Sequence, residues 1–159
     1  MKIVFFGDSI TDMNRNRDVD GNAFGYGVGY VNSVSGTLKY ENPEKYQIIN
    51  RGIGGNRVVD LYARVKVDVW NQEPDLISIL IGVNDVWHEI GTHNGVDNEK
   101  FEKIYCMLIE EIKEVLPNIK MMILEPFCLE ESATENTETC PDKWNIFNTE
   151  VKKRAEKAK

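Results

Sequence analysis

Four short, almost wholly apolar runs alternate with segments of helical period along this chain, and that order admits few folds. KIVFF at 2–6, YQIIN at 46–50, LISILIG at 76–82 and IKMMILEP at 119–126 are rich in Ile, Val, Leu and Phe. The first is closed by Gly7, and the second runs into the glycine-rich NRGIGGN. Their lack of polar alternation predicts strands covered on both faces. Between them, Tyr30, Val31, Val34 and Leu38 make one helical face, and Val58, Leu61, Tyr62, Val65 and Val69 a second. Phe101, Ile104, Tyr105, Leu108, Ile109, Ile112 and Leu116 make the clearest, stopped by Pro117. Strand and helix in this alternation imply right-handed crossovers and a mainly parallel sheet between helices. The fold class is therefore α/β, a three-layer α/β/α sandwich. The length of 159 residues and the 42% hydrophobic content suit one core, a single domain over 1–159.

Charge and cysteine usage narrow the function classes. With 26 acidic against 19 basic side chains the formal net charge is -7, and the only basic cluster lies in the last nine residues. Nucleic acid and anionic membrane are poor partners for such a surface. IVFF is too short for a signal segment, and no run approaches the roughly 20 apolar residues that span a bilayer. A soluble, cytoplasmic protein is expected. Cys106, Cys128 and Cys140 have neither the density of a disulfide scaffold nor the paired spacing of a zinc site, which predicts reduced thiols. Asp8, Asp12, Asp18 and Asp20 crowd one loop but lack the pattern of a calcium loop, so they read as solvated acidic turns and no metal is expected. GIGGNR and GYGVGY both fail the G-x-G-x-x-G pattern and no G-K-[ST] follows, so no nucleotide cofactor is expected either.

Open parallel sheets bind ligands beyond the carboxyl ends of their strands. Ser9 lies just past the first strand, Gly52–Asn56 past the second, Gly82–Asp85 past the third, and Glu125 ends the fourth. These groups suit ester cleavage: a serine hydroxyl attacks a carbonyl once its proton is removed, and the oxyanion then needs preorganised donors. The backbone N–H groups of Ser9 and Gly55 and the amide of Asn84 can supply them, and the lack of a Cβ at Gly55 lets the oxyanion approach the backbone. Asp8 can accept hydrogen bonds across the turn and support the loop. Phe24, Tyr26 and Trp87 flank the reactive blocks as candidates for a substrate-facing rim.

The blocks FGDSITD, NRGIGGN and GVND resemble, in order, the first three signatures of the GDSL or SGNH hydrolases, serine esterases and lipases on a flavodoxin-like fold. The resemblance implies Ser9 as nucleophile, with Gly55 and Asn84 completing the oxyanion hole with the Ser9 N–H. It implies short-acyl or carbohydrate esters as substrates and no cofactor.

The family's fourth signature, an aspartate followed three residues later by the base histidine, is where the chain departs. Only His88 and His93 occur; Asp85 and His88 have that spacing, but directly after the asparagine block rather than near the end of a domain. His88 is the residue of this chain that could substitute as base, and His93 reads as a loop residue. The stripe Trp144, Phe147, Val151, Ala155 and Ala158 runs to the last residues with no glycine or proline stop and no fifth strand after it. The expectation is a C-terminally truncated domain whose dyad lies outside the chain, leaving the chain itself weakly active or inactive. The alternative is a carbohydrate-binding or interaction module using the same rim without turnover. A sheet edge left open by a missing strand would favour a homo-oligomer.

Overall fold

The computed structural model describes residues 1–159, and its sheet has four strands, all parallel, in the spatial order β2-β1-β3-β4. The strands are β1 (Lys2–Gly7), β2 (Gln47–Gly52), β3 (Leu76–Leu80) and β4 (Lys120–Leu124). Each falls within two residues of its apolar run. Two short helices, α1 (Ser9–Asp12) and α2 (Ala23–Tyr26), follow β1 directly. The longer helices are α3 (Tyr30–Glu41), α4 (Val58–Asp68), α5 (Val83–Thr92), α6 (Asn98–Val115) and α7 (Lys143–Lys157). A 3-10 turn at Trp70–Gln72 leads into β3.

Sequence periodicity locates α3, α4, α6 and α7 but not α5, because ten residues opening on a glycine and carrying Asn84, Asp85, His88 and Glu89 read as a polar loop. The helix α6 forms for ordinary reasons: Asp97 caps it by accepting the Lys100 N–H at 2.9 Å, and Phe101, Tyr105, Leu108 and Ile112 line its buried face. It packs beside α4 on one face of the sheet. Val4 and Phe6 of β1, Ile49 of β2 and Ile77 and Ile79 of β3 meet Leu61, Val65, Phe101 and Leu108 there in the larger core cluster. Burial of each such side chain stabilises the fold by roughly 1.5–3 kcal/mol.

The opposite face is covered only in part. Ile3, Phe5 and Ile48 pack against Tyr26 and Val31, but beyond α3 nothing lies over the β3–β4 side. Leu76, Ser78, Met122 and Leu124 there line an open apolar groove of about 490 Å³ with Tyr30 and Val34. The expectation of strands covered on both faces therefore holds for β2, holds only in part for β1 and β3, whose Ile3, Phe5, Leu76 and Ser78 line the groove, and fails for β4, where Met122 is 50% exposed. β4 is also an open edge, because a flat apolar sequence fixes strand propensity but not what arrives to cover it. In α7, Phe147, Val151, Ala155 and Ala158 are buried as the stripe predicts, while Trp144 is only half-buried.

Candidate functional site

The site begins where β1 ends. Gly7 passes the chain to Asp8, whose Oδ1 accepts the Ile10 N–H at 2.9 Å and so caps α1. Ser9, the first residue of that helix, is exposed, while Asp8 and Thr11 on either side are buried. Asp8 is no solvated turn residue. Its Oδ2 is buried without a hydrogen-bond partner, and burial raises its pKa to about 6.

Asp12 departs from the solvated-turn expectation in the same way. It is 8% exposed, and its Oδ2 accepts from Gly54 N–H at 3.1 Å and from Arg17 Nη2 at 2.8 Å. This carboxylate ties the loop after β2 to the turn after β1. The two backbones approach so closely that a Cβ on Gly52 would lie 2.2 Å from the Asp12 nitrogen. Only glycine fits there. Asn50 locks the same crossing, its Nδ2 donating to Thr11 O and Tyr26 O and its Oδ1 accepting from Gly52 N–H.

Gly55 sits at φ +81°, in the region that costs an L-residue strain, and this backbone conformation demands glycine more than crowding does. A Cβ built there would stand 3.9 Å from His88 Nε2, in ordinary contact. One built on Gly54 would stand 3.8 Å from Ser9 Cβ. Adjacent residues of this one loop thus face Ser9 on one side and His88 on the other.

Asn84 enters from the first turn of α5. It is nearly buried, and its Nδ2 donates to Asn56 O at 3.0 Å, which sets the amide beside Gly55 and leaves its second hydrogen unspent. Of the sequence candidates, the structure gathers Ser9, Gly55, Asn84 and His88 around the loop 52–56. His93 stays outside; it closes α5 in a left-handed conformation and its side chain is exposed.

Asp85 has another task. Its carboxylate accepts the Val58 N–H at 3.1 and 3.3 Å and so caps the start of α4, and its own carbonyl accepts from Val96 N–H at 3.0 Å. Full burial raises its pKa to about 7 in spite of that hydrogen bond. Although Asp85 and His88 have the dyad spacing, the carboxylate is committed to α4.

Arg64 is the brace that sequence reading missed. From α4 its guanidinium donates to Gly7 O at 2.9 Å, Arg51 O at 2.9 Å, Asn56 Oδ1 at 2.7 Å and Asp68 Oδ2 at 2.5 Å. It also lies 4.5 Å over the Phe6 ring. One side chain thereby fixes the ends of β1 and β2 and the loop holding Gly55. Only the half-polar character of a residue on an amphipathic helix could have flagged it. Among the aromatic rim candidates, Tyr26 is buried in the smaller core cluster, with Lys39 Nζ 5.3 Å from its ring centre, so it lines no open rim. Phe24 and Trp87 are exposed. No helix is long and apolar enough to cross a membrane.

The comparisons with known proteins match this arrangement. Residues 5–159 match the model of the GDSL-like lipase/acylhydrolase family. An acetylxylan esterase of Geobacillus stearothermophilus is 39% identical over 135 residues, which is 81% of this chain and 61% of that protein. Its crystal structure superposes with a TM-score of 0.74 at 36% identity, covering 99% of this chain and 72% of the esterase. Solved catalytic mutants of that esterase replace a serine, an aspartate and a histidine by alanine. A protein described as GDSL-like lipase from Parabacteroides merdae superposes at a TM-score of 0.82 with 34% identity, covering 99% of this chain and 73% of that one. The chain thus spans 61% of the curated relative's length and about three quarters of the solved ones. With three family blocks converging at the carboxyl ends of three parallel strands, the chain belongs to the GDSL-like lipase/acylhydrolase family.

Proposed function

We propose that this domain hydrolyses carboxylic esters through an acyl-enzyme, with Ser9 as nucleophile. The observation that carries the reading is the exposed Ser9 beside Gly54, with the Asn84 amide anchored on Asn56 next to Gly55. In this scheme Ser9 Oγ attacks the ester carbonyl and its proton passes to a base. The oxyanion is held by the N–H groups of Ser9 and Gly55 and the free hydrogen of Asn84 Nδ2. The alkoxide leaves with a proton from the base, and water then cleaves the acyl-enzyme. Preorganisation is the main contribution: removal of one such donor typically costs about 10²–10³ in turnover. Asp8 supports the turn, and no metal or organic cofactor takes part.

We assign the base to an aspartate–histidine pair in the length of the family that this chain does not cover. Asp85 is committed to Val58, and the related esterase has catalytic mutants at both an aspartate and a histidine. His88 is the substitute within the chain, its Nε2 facing Gly55. The proposed substrate is an acetylated xylo-saccharide, by analogy with the 39% identical acetylxylan esterase. A second reading, a carbohydrate-binding module on the same rim, accounts for the chain if no base reaches Ser9. Self-association through the open β4 edge is the proposed oligomeric behaviour.

The test is p-nitrophenyl acetate hydrolysis by the chain and its Ser9→Ala form. Turnover abolished by the substitution supports the esterase with a base already present, and His88→Ala then identifies it. Equal background rates, persisting when the length covered by relatives is supplied, would overturn the esterase reading.

A further inference from the structure

A cleft of about 310 Å³ opens beside α5, lined by Trp87, Gly91, Thr137, Thr139, Lys143 and Phe147 among others. Its place on the helix links it to the site. Positions 84, 87, 88 and 91 are spaced three and four apart, so Asn84, Trp87, His88 and Gly91 form one stripe along α5. Trp87 stands about 4.5 Å further along the axis than Asn84. The cleft therefore starts one helical turn from the proposed oxyanion donor, on the same face.

Its walls are of two kinds. Trp87 is 38% exposed, and its indole and the Phe147 ring stand perpendicular at 5.4 Å and 89°. The opposite wall is hydroxylic and rigid. Thr137 and Cys140 exchange backbone hydrogen bonds at 3.0 and 3.1 Å, the Cys140 N–H also donates to Thr137 Oγ1 at 3.0 Å, and Thr139 Oγ1 lies 3.3 Å from Thr137 Oγ1. That turn is pinned to α7 where Asn136 Oδ1 accepts the Trp144 N–H at 3.0 Å. Lys143 also lines the cleft, its Nζ donating to Ala133 O at 2.6 Å and lying over the Trp87 ring, 5.3 Å from its centroid. The remaining ammonium hydrogens can reach a ligand.

We infer that this cleft is the subsite for the saccharide half of the ester, with the exposed part of Trp87 as its aromatic wall and Thr137, Thr139 and Lys143 as its hydrogen-bonding wall. A pyranose ring has an apolar face of C–H groups and an equatorial belt of hydroxyls, which is the division the two walls present. The size lies at the lower end of small-ligand clefts, roughly 300–1,000 Å³, which suits one or two sugar rings. The preformed hydroxyl wall lowers the ordering cost of binding. This assignment rests on the ester-hydrolase reading for its naming of the saccharide as a leaving group, but sugar binding is measurable without turnover.

The probe is unacetylated xylo-oligosaccharide, titrated into the ¹⁵N-labelled chain with the tryptophan indole N–H signals of the parent, and the backbone amide signals of Thr137, Thr139 and Lys143 in the parent and every variant, as readout. The chain has three tryptophans, and substitution assigns them. The expected result is a saturable shift of the Trp87 signal. Trp87→Ala should weaken binding at least about tenfold, the loss expected for an aromatic anchor. Thr139→Val should weaken it several-fold, and Trp87→Phe should restore most of the affinity while reporting that the fold survives. No saturable shift, a shift confined to Trp70 or Trp144, or unchanged affinity in Trp87→Ala overturns the subsite. Failure of Ser9-dependent p-nitrophenyl acetate hydrolysis counts against the esterase reading alone, because that ester carries no sugar.

Discussion

Asp12 Oδ2 accepts the Gly54 N–H at 3.1 Å, and this contact holds the glycine loop after β2 against the turn that presents Ser9. The same oxygen takes Arg17 Nη2, so the carboxylate is compensated although it is nearly buried. Replacement by alanine removes the acceptor and leaves an inward N–H and a guanidinium unmatched. Asp12→Ala is expected to cost about 1–3 kcal/mol in urea unfolding. It should also speed hydrogen exchange at Gly54 and Gly55. Asp12→Asn, which keeps an acceptor oxygen, should retain most of the protection; equal loss in both variants would refute the tether.

Neighbouring glycines in that loop should respond differently to alanine. Gly55 has φ +81° and Gly54 has no such constraint, with only ordinary contacts awaiting a Cβ. Gly55→Ala should destabilise the fold by about 1–2 kcal/mol, and Gly54→Ala by a small fraction of that. Chemical denaturation of the two variants decides it, and equal midpoints would count against backbone strain at Gly55.

Two buried carboxyls predict an unusual pH dependence. Burial raises Asp85 to about 7 and Asp8 to about 6, both above the ordinary value near 3.8. The native state therefore binds more protons than the unfolded chain between about pH 4 and 7. Their stabilising contribution is full below the unfolded value and is lost as pH rises through the folded ones. Each pH unit over which one such group is held protonated is worth about 1.4 kcal/mol. Unfolding free energy should fall from pH 5 to pH 8, and Asp85→Asn, which can still accept from Val58, should flatten that fall. A parent profile that is flat or rises over this range would contradict it.

Arg64 should tolerate neither alanine nor lysine. Its guanidinium reaches four separate acceptors, including Gly7 O and Arg51 O at the ends of β1 and β2. An ammonium has three hydrogens on one point and cannot span them. Arg64→Ala is expected to cost about 3–5 kcal/mol, because Gly7 O, Arg51 O and Asn56 Oδ1 lose their donor and Asp68 keeps only Arg51 at 3.5 Å, and Arg64→Lys more than half of that. Thermal unfolding of the pair gives the answer; a lysine variant as stable as the parent would show that charge alone suffices.

The open side of the sheet makes the last prediction. Met122 is 50% exposed on an unpaired edge strand beside an apolar groove. Sedimentation of the chain is expected to show concentration-dependent self-association, and Met122→Glu should reduce it. A parent that stays monomeric over the micromolar range would sink this expectation.

The alternation of strands and helices along the chain and the placement of Ser9, Gly55 and Asn84 past the ends of successive strands were legible in the sequence, because period and apolar runs are local properties. The helix α5 was not, since its buried groups are polar ones whose partners come from elsewhere: Asn84 answers to Asn56, and Asp85 to Val58. Sequence spacing gave Asp85 and His88 the separation of the dyad, though in the wrong place, and left His88 as a substitute base. Tertiary structure separated them, because an aspartate on a helix serves whichever donor the fold brings to it, here the first N–H of α4. Asp8 and Asp12 likewise read as solvated acids until the crossing of two loops enclosed them. What the chain settled by itself was the order of its elements and the chemistry available at their ends; which of those groups face one another depended on long-range packing, which no local pattern encodes.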